Sequence, residues 1–292
     1  MIASVWRTAL TAVLISCACV GIGWSVRQLL AARSFSVPTP SGPHPVERAR
    51  FLWRDPNRAR EISVVLWSPA FGSTQEQPLL LLSPAMGHTP ENYSVIAADL
   101  ASYGYIVAGV TPTQSAPIDL ERRVEMEPLV EAWVADIRFA LDQVAREPGL
   151  RERVDHNKIG VFGHSFGGAA AMHALRIDPR FRRAANLDGA PQGKPVTGLS
   201  RPLLIVWGAP LPPSQKKLNN TILGEIEAVC ASNAGGCQIE DRPEARHMNF
   251  SDAGLSPSPI PLLRSHQDLA DIDGKAFLYS IASLLRTFFD PM

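Results

Sequence analysis

The chain has 292 residues, 46% of them hydrophobic, with 28 Lys+Arg against 28 Asp+Glu. That is enough apolar material for a sizeable buried core. The balanced charge excludes the strong field by which nucleic acids or anionic surfaces are attracted. The 25 prolines fall largely in connections, as at residues 210–213 and 257–261, and predict ordered, non-repetitive loops. No internal repeat is present.

In chain order, Arg7 precedes an uncharged run from Thr8 to Val26, closed by Arg27 and Arg33. The run is long for a signal-peptide core and just long enough to span a bilayer. Leu30-Ala31-Ala32 is the nearest match to a cleavage site, and Leu14-Ile15-Ser16-Cys17 has the look of a bacterial lipobox. Residues 1–35 are therefore read as a signal peptide or signal anchor, and every version of that reading exports the rest of the chain: secreted, periplasmic or membrane-anchored, with membrane association through this segment in the anchored case. Val37–Pro45 reads as a stiff, extended spacer, giving a linker over residues 36–48 and a catalytic domain over 49–292.

Within that domain, Ala49–Trp53 and Glu61–Trp67 predict two antiparallel strands. Gln77–Ser83 is a continuous apolar run typical of a strand covered on both faces. Pro90–Ala101 has helical spacing, Tyr105–Val110 reads as a strand, and Leu120–Arg146 is helical, with Pro128 a break or helix start. Lys158–Phe162 is a further strand. Ala184–Asp188 and Pro202–Trp207 are two more, then a helix over Leu218–Cys230, a strand over Gly236–Glu240 and an amphipathic closing helix over Phe277–Phe289. Alternating strands and helices predict a mostly parallel central sheet with helices on both faces.

Gly163-His164-Ser165-Phe166-Gly167-Gly168 fits G-x-S-x-G, with a strand before it and small, helix-compatible residues behind it. That is the context of a nucleophile elbow. The glycines fit the physics: Ser165 sits in a strained turn, and side chains at Gly163 and Gly167 would collide with the neighbouring strand and helix.

A serine hydroxyl needs a histidine to take its proton and a carboxylate to orient that histidine. The chain order Ser, acid, His places the base well after Ser165. His247, in a loop after the last predicted strand, fits best, with His266 the alternative; His173 falls in the helix after the elbow and reads as a packed residue. Asp188 follows a strand and precedes a turn. The other usual position for the acid, the loop Gly208–Ser214, holds no carboxylate, which favours Asp188 over Asp241 and Glu244. Asp252 is read as a cap for the turn that follows it. The oxyanion hole needs two backbone N–H groups. Phe166 supplies one, and the loop after Leu79–Leu82 supplies the other. Pro84 has no N–H, so Met86, before a permissive glycine, is preferred to Ala85; His88 reads as a surface loop residue.

Four cysteines are present. Cys17 and Cys19 lie in the N-terminal run. Cys230 and Cys237, separated by a short glycine-containing stretch, predict a disulfide in an oxidising compartment. No Cys or His pair has metal-ligand spacing, and neither a metal nor a cofactor is expected.

The Gly163–Gly168 motif, the Asp188 offset and the His247-x-Asn249-Phe250-Ser251-Asp252 segment resemble the platelet-activating factor acetylhydrolase family of α/β-hydrolases. Met86-Gly87, Tyr93-Ser94 and Asp99–Val107 resemble its oxyanion-loop region, and the similarity runs from about Pro78 to Asp252. Polyester and dienelactone hydrolases are structural cousins whose acid usually lies one strand later. The family often has His-Gly before the oxyanion residue, where this chain has Pro84-Ala85. The resemblance implies an α/β-hydrolase fold, the triad Ser165, Asp188 and His247, N–H donors from Met86 and Phe166, and calcium-independent hydrolysis of ester lipids with short acyl chains. Polyester or dienelactone hydrolysis, acyl transfer to an alcohol, and a non-catalytic binding role on the same fold are the competing readings.

Overall fold

The first two strands, β1 (Val46–Asp55) and β2 (Arg60–Pro69), form an antiparallel hairpin. The computed structural model describes residues 37–70, 76–112, 119–255 and 268–292. The following strands are β3 (Gln77–Ser83), β4 (Ile106–Val110), β5 (Val154–His164), β6 (Arg183–Leu187), β7 (Leu203–Trp207) and β8 (Cys237–Asp241). They complete an eight-stranded sheet of order β1-β2-β4-β3-β5-β6-β7-β8. All pairings from β4 to β8 are parallel, as expected for strands joined through crossover helices.

Side-chain alternation along the strands divides the core between the two faces of the sheet. Leu79 and Leu81 pack with the helices α2 (Glu127–Val144), α3 (Phe166–Ile177) and α4 (Lys216–Ala231). Leu80 and Leu82 pack with α1 (Ser94–Ser102) and α5 (Gly274–Phe289). Helix α2 buries Val130, Trp133, Val134, Ile137, Ala140, Leu141 and Val144, a stripe at three- and four-residue spacing. It starts at Glu127, later than the helical pattern suggested, because Pro128 in its first turn tolerates the missing N–H there and disfavours a helix running into it. Residues Arg123–Met126 form a 3-10 turn instead. Pro90–Tyr93 is likewise a 3-10 turn ahead of α1.

The chain from Pro38 to Met292 is one compact unit. The proline-rich stretch is tied to its surface: Tyr279 donates to the Thr39 carbonyl at 2.5 Å, Ser41 N–H to Asp99 at 2.7 Å and Gly42 N–H to Ser102 Oγ at 2.9 Å. The segment thus straps α1 to α5. Among the described residues no helix is long and apolar enough to cross a membrane; the Thr8–Val26 run that carried the signal and anchor expectations lies outside the described residues, as does His266.

Cys230 and Cys237 form the expected disulfide, linking the end of α4 to the start of β8. The sequence separation is only 7, and the chain-entropy argument gives a short loop of this kind about 2–3 kcal/mol. Replacing both cysteines by serine should lower the free energy of unfolding by that amount, read from a urea titration, with the secondary structure retained.

Candidate active site

The candidate residues come together at the carboxyl ends of the parallel strands, where open α/β sheets place their sites. Ser165 follows β5 directly, with φ 58° and ψ −125°. This is left-handed backbone for a residue with a side chain. Its N–H is fixed by the Leu187 carbonyl at 2.9 Å. A Cβ on Gly163 would overlap the backbone of Gly167, and one on Gly167 would overlap the carbonyl oxygens of Ser83 and Pro84. The glycines therefore let helix α3 start hard against β3 and β5.

Asp188 follows β6 and also has positive φ, at 50°. Its N–H donates to the Val206 carbonyl at 2.7 Å, and its Oδ1 accepts from Gly208 N–H at 2.7 Å. Asn186, fully buried on β6, braces the turn from beneath. It accepts from Gly189 N–H at 2.9 Å and donates to the Gly189 carbonyl at 2.8 Å. His247 opens a 3-10 turn, His247–Phe250, in the loop after β8. Its Nδ1 lies 2.6 Å from Asp188 Oδ2 and its Nε2 lies 2.9 Å from Ser165 Oγ. Burial opposes a charge on His247 more than any other single influence. The hydrogen bond and charge of Asp188, with the charge of Asp268 behind them, outweigh it, and the imidazole pKa is raised above its ordinary 6.5.

The loop after β3 closes a turn in which His88 N–H donates to the Ala85 carbonyl at 3.0 Å and Gly87 has φ 75°, the region in which such turns favour glycine. Ala85 N–H is taken by the Tyr93 hydroxyl at 3.0 Å, whereas Met86 N–H has no backbone hydrogen bond among the described residues. Phe166 is the first residue of α3, so its N–H belongs to the set that a helix cannot satisfy internally. His88 lies in the same loop with Nδ1 3.2 Å from the Met86 carbonyl.

The alternatives weighed from sequence sit elsewhere. Asp241 and Glu244 are exposed, and His173 is buried on α3 with Nε2 donating to the Gln192 carbonyl at 2.9 Å. Asp252 differs from its reading as a local cap. Its carboxylate accepts from Ser94 N–H at 2.8 Å and Val95 N–H at 3.2 Å, capping the N-terminus of α1. Burial raises its pKa from 3.8 to about 6 against the pull of those two N–H groups. The native state then holds more protons than the unfolded chain between about pH 4 and pH 6. Stability should fall as pH rises through that window, by up to roughly 3 kcal/mol. Asp252→Asn should flatten the dependence, as read from denaturant midpoints between pH 4 and pH 7.

Ligand atoms of His164, Asp188 and His247 lie within 4.8 Å of one another. Both His247 nitrogens are already engaged by Asp188 and Ser165, so hydrogen bonding rather than metal ligation accounts for the cluster. Sequence reasoning gave His164, Tyr93 and Asn186 no role; all three are fully buried polar or titratable side chains at the site.

The sheet order and the helices on its two faces define an α/β-hydrolase fold, with Ser165, His247 and Asp188 in one hydrogen-bonded chain at the carboxyl ends of its strands. The family profile for platelet-activating factor acetylhydrolase, isoform II, matches residues 135–191, across the elbow and Asp188, in line with the resemblance read from sequence. A platelet-activating factor acetylhydrolase from Canis lupus familiaris is 28% identical over 170 residues, which is 42% of this chain and 37% of the relative. A probable 1-alkyl-2-acetylglycerophosphocholine esterase from Arthroderma benhamiae is 32% identical over 158 residues, 47% of this chain and 39% of the relative. The chain thus spans less than half the length of these curated relatives. Among solved structures, a ferulic acid esterase from Streptomyces cinnamoneus superposes with a TM-score of 0.71 at 26% identity, covering 87% of this chain and 92% of that one.

Proposed function

We propose that the protein is a carboxylic ester hydrolase working through an acyl-enzyme, with Ser165 as nucleophile, His247 as general base and acid, and Asp188 as the group that orients His247. The observation that carries this reading is the unbroken chain from Ser165 Oγ through the two His247 nitrogens to Asp188 Oδ2, at 2.9 and 2.6 Å. His247 Nε2 takes the hydroxyl proton as Oγ attacks the ester carbonyl. The oxyanion of the tetrahedral intermediate is received by the N–H groups of Met86 and Phe166. The proton then passes from Nε2 to the leaving alcohol. Water, deprotonated by the same nitrogen, attacks the acyl-enzyme and releases the acid.

The substrates best supported are lipid esters with short acyl chains, in keeping with the names of the two curated relatives. A second reading, hydrolysis of ferulic-acid-type aromatic esters, is favoured by the structural likeness to the ferulic acid esterase, which spans far more of the chain. The disulfide supports an exported protein, with residues 1–35 as its signal or anchor and a linker that ends where β1 begins at Val46, short of residue 48; mass spectrometry of the mature N-terminus tests the signal assignment.

A fluorophosphonate probe should label the wild-type protein and leave Ser165→Ala unlabelled. Absence of labelling, or labelling that survives the substitution, overturns the esterase reading. A panel of acetyl, butyryl, octanoyl and feruloyl esters then decides the substrate class. Adding alcohol acceptors tests for acyl transfer.

A further inference from the structure

Behind the catalytic residues lies a buried chain that the reaction as derived does not use. Tyr93 is fully buried, and a buried hydroxyl needs partners for both its proton and its lone pairs. Its oxygen accepts from Ala85 N–H at 3.0 Å and lies 2.8 Å from Nδ1 of His164. With the oxygen already accepting, the phenolic proton is directed to Nδ1, and burial, which pushes the hydroxyl pKa up, keeps that proton on. His164 is itself fully buried. Burial first, and the neighbouring imidazoles of His247 and His88 after it, hold it well below the ordinary histidine range. It is therefore neutral, with its one proton on Nε2. That nitrogen makes no hydrogen bond of normal geometry among the described residues; the backbone of His247 exerts a smaller upward pull on the imidazole, which burial overrides. The His164 ring lies 4.5 Å from the ring of His247, tilted by 41°, and stacks on Phe250.

Two consequences follow for the chemistry. Ala85 is held at both ends, its N–H by Tyr93 and its carbonyl by His88 N–H. The peptide group that carries the Ala85 carbonyl also carries Met86 N–H, and in a trans peptide the two point in opposite directions. Fixing the carbonyl through His88 aims Met86 N–H, while the Tyr93 bond anchors the preceding peptide, Pro84–Ala85, from which that unit extends. His247, meanwhile, becomes a cation when it takes the Ser165 proton, and a second positive charge on the adjacent imidazole would oppose that step.

We propose that Tyr93 and His164 are positioning residues: the Tyr93 hydroxyl anchors the Pro84–Ala85 peptide, on which the His88-fixed Met86 oxyanion donor is built, and holds His164 as a neutral, Nε2-protonated imidazole against His247. This rests on the ester-hydrolase reading of the site. The pair joins the oxyanion loop, the elbow and the base loop, and reaches the reacting atoms only through the ring of His247.

The test has two arms. In wild-type protein with 15N-labelled histidine, His164 should show an unprotonated Nδ1 and a protonated Nε2 from pH 5 to pH 9. A protonated Nδ1, or a cation in that range, overturns the proposal, and this arm requires no variant to fold. In Tyr93→Phe, kcat on a short-chain ester should fall about 10- to 100-fold with KM within about two-fold. Affinity for a trifluoromethyl ketone, which mimics the oxyanion, should fall by the same factor as kcat. A folded variant with unchanged kcat and ketone affinity overturns the proposal, as does a loss confined to KM or to thermal stability. Wild type that carries the expected tautomer yet fails to label with fluorophosphonate would count against the esterase reading and not against the geometry of the pair.

Discussion

Ser165→Gly should abolish ester turnover and at the same time make the protein harder to unfold. Removing the nucleophile costs roughly 10⁴-fold or more in kcat, since the oxyanion donors alone supply only residual catalysis. The stability gain comes from the backbone. At φ 58° and ψ −125° a residue with a Cβ carries strain of roughly 1–3 kcal/mol, which glycine relieves. Glycine's larger unfolded-state entropy offsets roughly 0.5–1 kcal/mol of that. A net gain near 1 kcal/mol raises the melting temperature by about 2–4 °C in a domain of this size. Ser165→Ala is the control, equally inactive but still strained. Ester turnover by the glycine variant, or a melting temperature no higher than that of the alanine variant, would contradict these expectations.

Asp188→Asn is expected to remove about 10³- to 10⁴-fold of kcat and to move the acid limb of the pH–rate profile downward. The asparagine carbonyl can still accept from Gly208 N–H, which turns the amide nitrogen toward His247 Nδ1. Nδ1 must then accept, so the imidazole proton sits on Nε2, where it cannot receive the proton of Ser165. The pH effect has a definite sign. Only neutral His247 acts as base, and its pKa is raised above 6.5 because Asp188 outweighs burial. Wild-type kcat/KM should therefore be lost as pH falls through that raised value. In Asp188→Asn the hydrogen bond and charge of Asp188 are lost and only the weaker pull of Asp268 opposes burial, so the residual activity should survive to lower pH. A loss below ten-fold, or a limb that moves upward, would show that the orienting carboxylate is elsewhere.

The turn at Ser165 and the strand-end position of Asp188 are legible in the sequence for local reasons. Gly163, Ser165 and Gly167 form one tight turn between a strand and a helix, and Asp188 stands at the end of a strand whose neighbour's loop carries no carboxylate. His247 was legible because it sits in a loop after the last strand. What escaped was what depends on distant partners. Tyr93 and His164 each look like ordinary residues until the sheet brings them to 2.8 Å. Asn186 reads as a mid-strand polar residue with no sign that both ends of its amide hold Gly189. Asp252 was assigned to its own turn because sequence displays only near neighbours, whereas its partners are the N–H groups of Ser94 and Val95. The proline-rich stretch carries no mark of the Asp99, Ser102 and Tyr279 groups that bind it.

The Asp252 cap has a kinetic meaning as well as a structural one. Its bonds to Ser94 and Val95 close separations of 158 and 157 residues, and Tyr93, beside them, must also find His164. Contacts of such long range form late, after the entropy of the intervening chain has been overcome. Oxyanion loop and base loop are thus stitched together only when the two ends of the domain meet. Regained ester hydrolysis should lag behind regained helical circular dichroism on refolding, which makes activity a reporter of the completed native state.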